Sequence, residues 1–205
     1  MATNTASTNN KDAQIYDTQP TWNYGVADAL NIRKTNSAER LRSLLHFTLP
    51  ANPGGATITQ VTLNLTKQTN LTATGTVNAH AITQTSWTEG TGNGSATGDG
   101  VTWNTYNGSN NWSAAGGDYS ATVIDAVADP ASVGQLLTLY LMGGSSDNPL
   151  TLNWGDDVHI LLKQATETGG TDTGGIYYSK ENGTAGNRPY LEITYSTTPI
   201  LILRG

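Results

Sequence analysis

The sequence predicts an all-β protein, a two-sheet antiparallel β-sandwich or jelly roll. Three observations lead there. Short apolar runs alternate with polar residues at a period of two, as strands with one covered face do. Turn-forming clusters such as Pro50-Ala51-Asn52-Pro53-Gly54-Gly55 separate these runs at the spacing of a sandwich. Helix formers never gather into a long stretch with a 3.6-residue period, while Thr, Gly, Asn and Ser are abundant.

Residues 1–11 are polar and read as a flexible arm ahead of the domain. The sandwich is expected over 12–196. Leu41, Ser43, Leu45, Phe47 and Leu49 form one inward face, with Arg40, Arg42, His46 and Thr48 turned outward. Ile58, Val61, Leu63 and Leu65 give the next inward face, and Val77–Ile82 is a further strand. The stretch from Trp87 to Tyr119 is long, rich in Gly, Asn and Ser, and loaded with aromatics, the signature of a loop that is functional or packed down by its own rings. Thr122–Ala128, closed by Asp129-Pro130, reads as one short helical turn. Leu136–Met142 is almost continuously apolar and reads as a central strand buried on both faces, followed by a strand over Val158–Leu162. Core membership is expected for Leu45, Phe47, Leu63, Leu65, Leu139, Leu191 and Ile193.

Composition excludes several functions. The net charge of −6, with only ten Lys and Arg scattered along the chain, provides no cationic patch for phosphates, so nucleic acid is not an expected partner. There are no cysteines, hence no disulfide, thiolate metal site or Cys nucleophile. His46, His80 and His159 show no zinc spacing, and no nucleophile elbow or phosphate loop is present, so no enzyme is expected. Met1–Thr8 has neither a basic start nor an apolar run, so it does not read as a secretory signal. Residues 197–205 form an apolar tail whose Ile200, Leu201, Ile202 and Leu203 are too few to cross a bilayer. Such a tail is expected to be buried, either on its own sandwich or as an assembly strand added to a second copy or another partner protein.

Four groups of residues carry a family resemblance. Asp12-Ala13-Gln14-Ile15-Tyr16 and Asn23-Tyr24-Gly25 come first. Arg42-Ser43-Leu44-Leu45-His46-Phe47 with Gly55-Ala56-Thr57-Ile58 follow, then Trp87-Thr88-Glu89 with Val101-Thr102-Trp103-Asn104. Ser179-Lys180-Glu181 and Arg188-Pro189-Tyr190-Leu191 close the chain. In this order they resemble the DNRLRE domain, a β-sandwich family related to a carbohydrate-binding module class. The region from Trp87 to Tyr119 looks most like versions carried by tailed-bacteriophage virion proteins. The resemblance implies a non-catalytic virion surface protein (decoration, fibre or adhesion module, an oligomer bound to virion proteins or itself). The alternative is a carbohydrate-binding module of a secreted or cell-surface protein, extracellular and bound to polysaccharide.

Site residues follow from residue chemistry. Trp87 and Trp103 sit in family motifs and are expected in the core. Trp22, Trp112 and Trp154 lie in polar, turn-like surroundings and are the glycan-stacking candidates, since an aromatic face complements the apolar face of a pyranose. Arg42 and Arg188 are expected to pair with carboxylates or carbonyls inside the fold, with Glu89 and Glu181 as natural partners. No cofactor is expected. Calcium is weighed at Asp12, Asp17, Asn23 and Asp28, and at Asp156-Asp157, against the reading that these are solvated turn residues.

Overall fold

The computed structural model describes residues 2–144 and 149–197. Among them are ten strands: β1 (Ala2–Tyr16), β2 (Ala29–Lys34), β3 (Arg40–Thr48), β4 (Thr57–Thr69), β5 (Thr76–Ala81), β6 (Asp125–Ala128), β7 (Leu136–Met142), β8 (Asp157–Gln164), β9 (Thr173–Tyr178) and β10 (Tyr190–Ser196). A 3-10 turn at Ala185–Asn187 stands between β9 and β10, and the described residues contain no α-helix.

The strands form an antiparallel sandwich. One sheet runs β1–β10–β4–β7, using residues 2–8 of β1. In the other, β3 pairs with residues 9–16 of β1 on one side and with β8 on the other, and β5 and β6 follow β8. β2 joins β3 at its hairpin end and otherwise pairs with β9, which meets the last residues of β4. β1 and β4 therefore belong to both sheets and tie them together. β1 makes its crossing at a register shift between Asn9 and Lys11.

Between the sheets lies the main core, to which Leu45, Phe47, Leu63, Leu65, Leu139, Leu191 and Ile193 all contribute fully buried side chains. The alternation that announced it is real: Val61, Leu63 and Leu65 of β4 face Leu137, Leu139 and Leu141 of β7 and Leu191 and Ile193 of β10. Phe47→Ala should lower unfolding stability by about 3–5 kcal/mol, as large-to-small core changes do; a urea midpoint unchanged from the native protein would contradict its place in this core.

A second apolar cluster lies on the opposite face of the β3 sheet. Ala13, Ile15, Leu44 and Leu161 are covered there by Ile82, Trp87, Val101, Trp103 and Trp112 from the long connection between β5 and β6. That connection is a third layer. Arg42, expected to face outward, is consequently buried beneath it.

Three further expectations are corrected. Residues 2–11 are not a free arm but the first part of β1, because Ala2 to Thr8 pair with Ser196 to Tyr190 through backbone hydrogen bonds that polar side chains do not prevent. Thr122–Ala128 is not helical: Asp125–Ala128 is β6, pairing with Thr76–Ala79 of β5. β7 is not buried on both faces. It pairs with β4 alone among the described strands and leaves Leu136 and Tyr140 exposed. Its outer edge is partly capped, since the backbone N–H of Tyr140 donates to Asp125 Oδ2 at 2.7 Å. The tail residues Ile200, Leu201, Ile202 and Leu203 lie outside the described residues.

Candidate carbohydrate-binding surface

The third layer is held by polar side chains that sequence alone leaves unpaired. Asn23 is fully buried and uses its whole amide. Its Nδ2 donates to the carbonyls of Glu89 (2.7 Å) and Val101 (2.9 Å), and its Oδ1 accepts from the N–H groups of Gly25 (3.1 Å) and Gly92 (2.7 Å). Glycines make room for it. A Cβ at Gly100 would lie 2.4 Å from Nδ2, and one at Gly90, which has φ +82°, would lie 2.6 Å from Oδ1. One side chain thus stitches the loop after β1 to both ends of the 89–101 segment.

Arg42 is the second fastener. Its Nε and Nη2 form a two-pronged pair with Glu167 Oε1 (2.8 Å) and Oε2 (2.6 Å), and Nη1 donates to the Gly116 carbonyl at 2.7 Å. Its guanidinium also lies 4.8 Å from the Trp103 ring centre and 5.4 Å from that of Tyr119. Arg42 therefore pairs inside the fold, but with Glu167 rather than Glu89 or Glu181. Those two carboxylates belong to Lys180: its Nζ is 3.1 Å from Glu89 Oε2 and bonds to Glu181 Oε1. Arg188 bonds a carbonyl, its Nε donating to Asn182 O at 2.8 Å.

The acidic residues weighed for calcium do not come together as grouped. Asp17 pairs with Arg40, Asn23 is spent on the loops, and Asp28 accepts from Asn182. Asp12 instead joins Glu89 and Glu181, with ligand oxygens within 4.8 Å of one another. The Asp12 backbone N–H donates to Glu89 Oε1, and Asp12 Oδ2 accepts from the Lys180 backbone and from Asn9. Burial, reinforced by the two neighbouring carboxylates, holds Asp12 well above the usual carboxylate range. The Lys180 ammonium supplies positive charge to this cluster.

The three histidines are not equivalent. His46 and His159, opposite one another on β3 and β8, stack at 4.2 Å. Trp87 Nε1 donates to His159 Nδ1 at 3.1 Å, so that nitrogen is bare in the bonded state. Lys11 reaches over the Trp87 ring and donates to the Trp87 carbonyl, and Asp157 holds His46 Nε2 at 3.0 Å. Burial, then the charge of His46 and of Lys11, lowers His159 to about 4. The unfolded chain therefore takes up this proton first. The stabilising contribution is complete above the ordinary value of 6.5, declines as pH falls toward about 4, and is lost below it. As pH falls from 7 to 4.5 the native protein should lose stability relative to His159→Gln, whose amide oxygen still accepts from Trp87. Asp12 and Glu89, raised by burial, act in the opposite sense in both proteins, so the comparison isolates His159. An identical pH slope in the two proteins would contradict this role.

The stacking candidates separate cleanly. Trp112 is only 5% exposed, with its Nε1 donating to Thr102 O at 2.9 Å. Its expected exposure is overturned, because the third layer closes over it. Trp154 is partly buried against the main core, donates to Ala56 O, and meets Tyr195 edge-on. Trp22 is 39% exposed, beside exposed Val26, one residue from the anchored Asn23. Trp87 and Trp103 are buried as expected.

The chain belongs to carbohydrate-binding module family 96, whose family model matches residues 3–153. The match begins inside the segment expected to be an arm, where β1 already runs. A search of curated proteins finds no match.

Proposed function

We propose that this protein is a non-catalytic carbohydrate-binding domain that acts outside the cell on a polysaccharide. Family membership is the observation that carries the reading. It favours the setting of a secreted or cell-surface protein over that of a phage virion part, the first of the two settings the sequence suggested. Trp22 is the main contact residue in this proposal. Its ring is exposed, and the bonds of Asn23 hold its loop before any ligand arrives, which reduces the ordering cost of binding.

A glycan array tests this. The native protein should be retained on a polysaccharide, and Trp22→Ala should lose about tenfold or more in affinity with its melting temperature within a degree or two, because an exposed ring contributes contact rather than core. Full retention of the variant would remove Trp22 from the site.

A further inference from the structure

The register shift at which β1 leaves one sheet for the other opens a cleft of about 710 Å³ at the seam of the sandwich. Asn9, Asn10, Lys180, Arg188 and Tyr190 are among the residues that line it. Nothing about this concavity follows from the family match, since the 180–190 wall lies beyond the matched residues.

The wall side chains are fixed in advance by bonds of their own. Asn9 Nδ2 donates to Asp12 Oδ2 and Asn10 Nδ2 to Thr48 Oγ1. Lys180 is held by Glu89 and Glu181, and Arg188 by Nε to Asn182 O. Asn182 in turn accepts from Thr184 N and Asn187 Nδ2, which braces the turn carrying Arg188. Valences remain. Binding Arg188 through Nε leaves the far edge of its fork as donors for two adjacent oxygens.

We infer that the seam cleft is a second sugar-binding subsite, taking a pyranose that presents two neighbouring ring oxygens. In this arrangement Arg188 donates to that oxygen pair and half-buried Tyr190 covers the apolar ring face. The inference rests on the carbohydrate-binding reading above and adds a site to it that Trp22 does not provide.

Affinity electrophoresis of the full chain tests it, in gels cast with soluble xylan, mixed-linkage β-glucan, galactomannan or polygalacturonate. The last gel tells a carboxylate oxygen pair from a hydroxyl pair. In a gel that retards the native protein, Arg188→Ala should weaken retardation about tenfold, the size of effect of losing one charge-assisted contact, and Arg188→Lys should recover only part of it. Arg188 is exposed, so its variant should keep the native melting temperature. Native retardation of Arg188→Ala, with Trp22→Ala released, would overturn the cleft and leave the Trp22 site standing. Failure of the native protein to be retarded in any gel would overturn the cleft together with the carbohydrate reading.

Discussion

Asn23→Ala is expected to destabilise the protein by about 3–5 kcal/mol, the effect of breaking a buried hydrogen-bond network. The substitution removes four hydrogen bonds at once and strands two carbonyls and two N–H groups where the surrounding loops exclude water. Asn23→Asp should do no better. Its carboxylate would face the carbonyls of Glu89 and Val101, to which Nδ2 now donates, as a buried, repelled charge. Urea denaturation followed by tryptophan emission reads this directly, because Trp87, Trp103 and Trp112 all lie in the layer that Asn23 secures. A loss below about 1 kcal/mol for both variants would mean that the third layer is held without this residue.

Arg42→Ala is expected to cost about as much, roughly 3–5 kcal/mol, the range for removing one partner of a buried ion pair. It leaves Glu167, whose side chain is 12% exposed, with only Lys163 at 3.5 Å as a cationic partner, and leaves the Gly116 carbonyl and the faces of Trp103 and Tyr119 without their cation. Arg42→Lys should recover only part of the loss, since an ammonium cannot bond both Glu167 oxygens and the carbonyl in one plane. The double variant Arg42→Met with Glu167→Met should lose less than the sum of the two single changes, because each single change leaves one member of the two-pronged pair without the other. Strict additivity in urea denaturation would show that the two residues do not act as a pair.

The main core was legible because its strands obey a simple period. Phe47, Leu63 and Ile193 sit where alternation puts them, and each is fully buried. What alternation hides is anything covered by a loop. Trp112 follows Asn110 and Asn111 and precedes Ser113, and polar neighbours in sequence say nothing of a sheet face lying beneath the ring. The same layer buries Arg42 on a face that the pattern marks as outward. The start of β1 was missed for a related reason. Thr3, Asn4, Thr5 and Ser7 look like a solvated arm, yet their pairing with β10 is made by backbone groups, which composition does not report. Within β6, Val127 and Ala128 were read as helical because a four-residue strand is shorter than the window in which periods of 2 and 3.6 differ.

Partners far apart in sequence were the hardest to read. Arg42 and Glu167 are 125 residues apart, and Asp12 meets Lys180 across 168. Sequence motifs placed Arg42, Glu89, Glu181 and Arg188 among the residues that fasten the fold, but charge alone could not choose between Glu89, Glu167 and Glu181 as the partner of Arg42. The signal for Asn23 was present: an Asn-x-Gly loop facing a segment with glycines at 90, 92, 94, 98 and 100 describes an amide packed among residues without side chains.

The proposed function turns on whether Trp22 meets a sugar. Trp22 is exposed while Trp87, Trp103 and Trp112 are buried, so in a Trp154→Phe background, which removes the one partly buried indole, acrylamide quenching of the intrinsic fluorescence resolves its emission from theirs. Adding the polysaccharide that retains the native protein should abolish the readily quenched component, and that component should already be missing from Trp22→Ala without ligand. A bound polysaccharide that leaves the quenching in this background unchanged would contradict a binding surface built on Trp22.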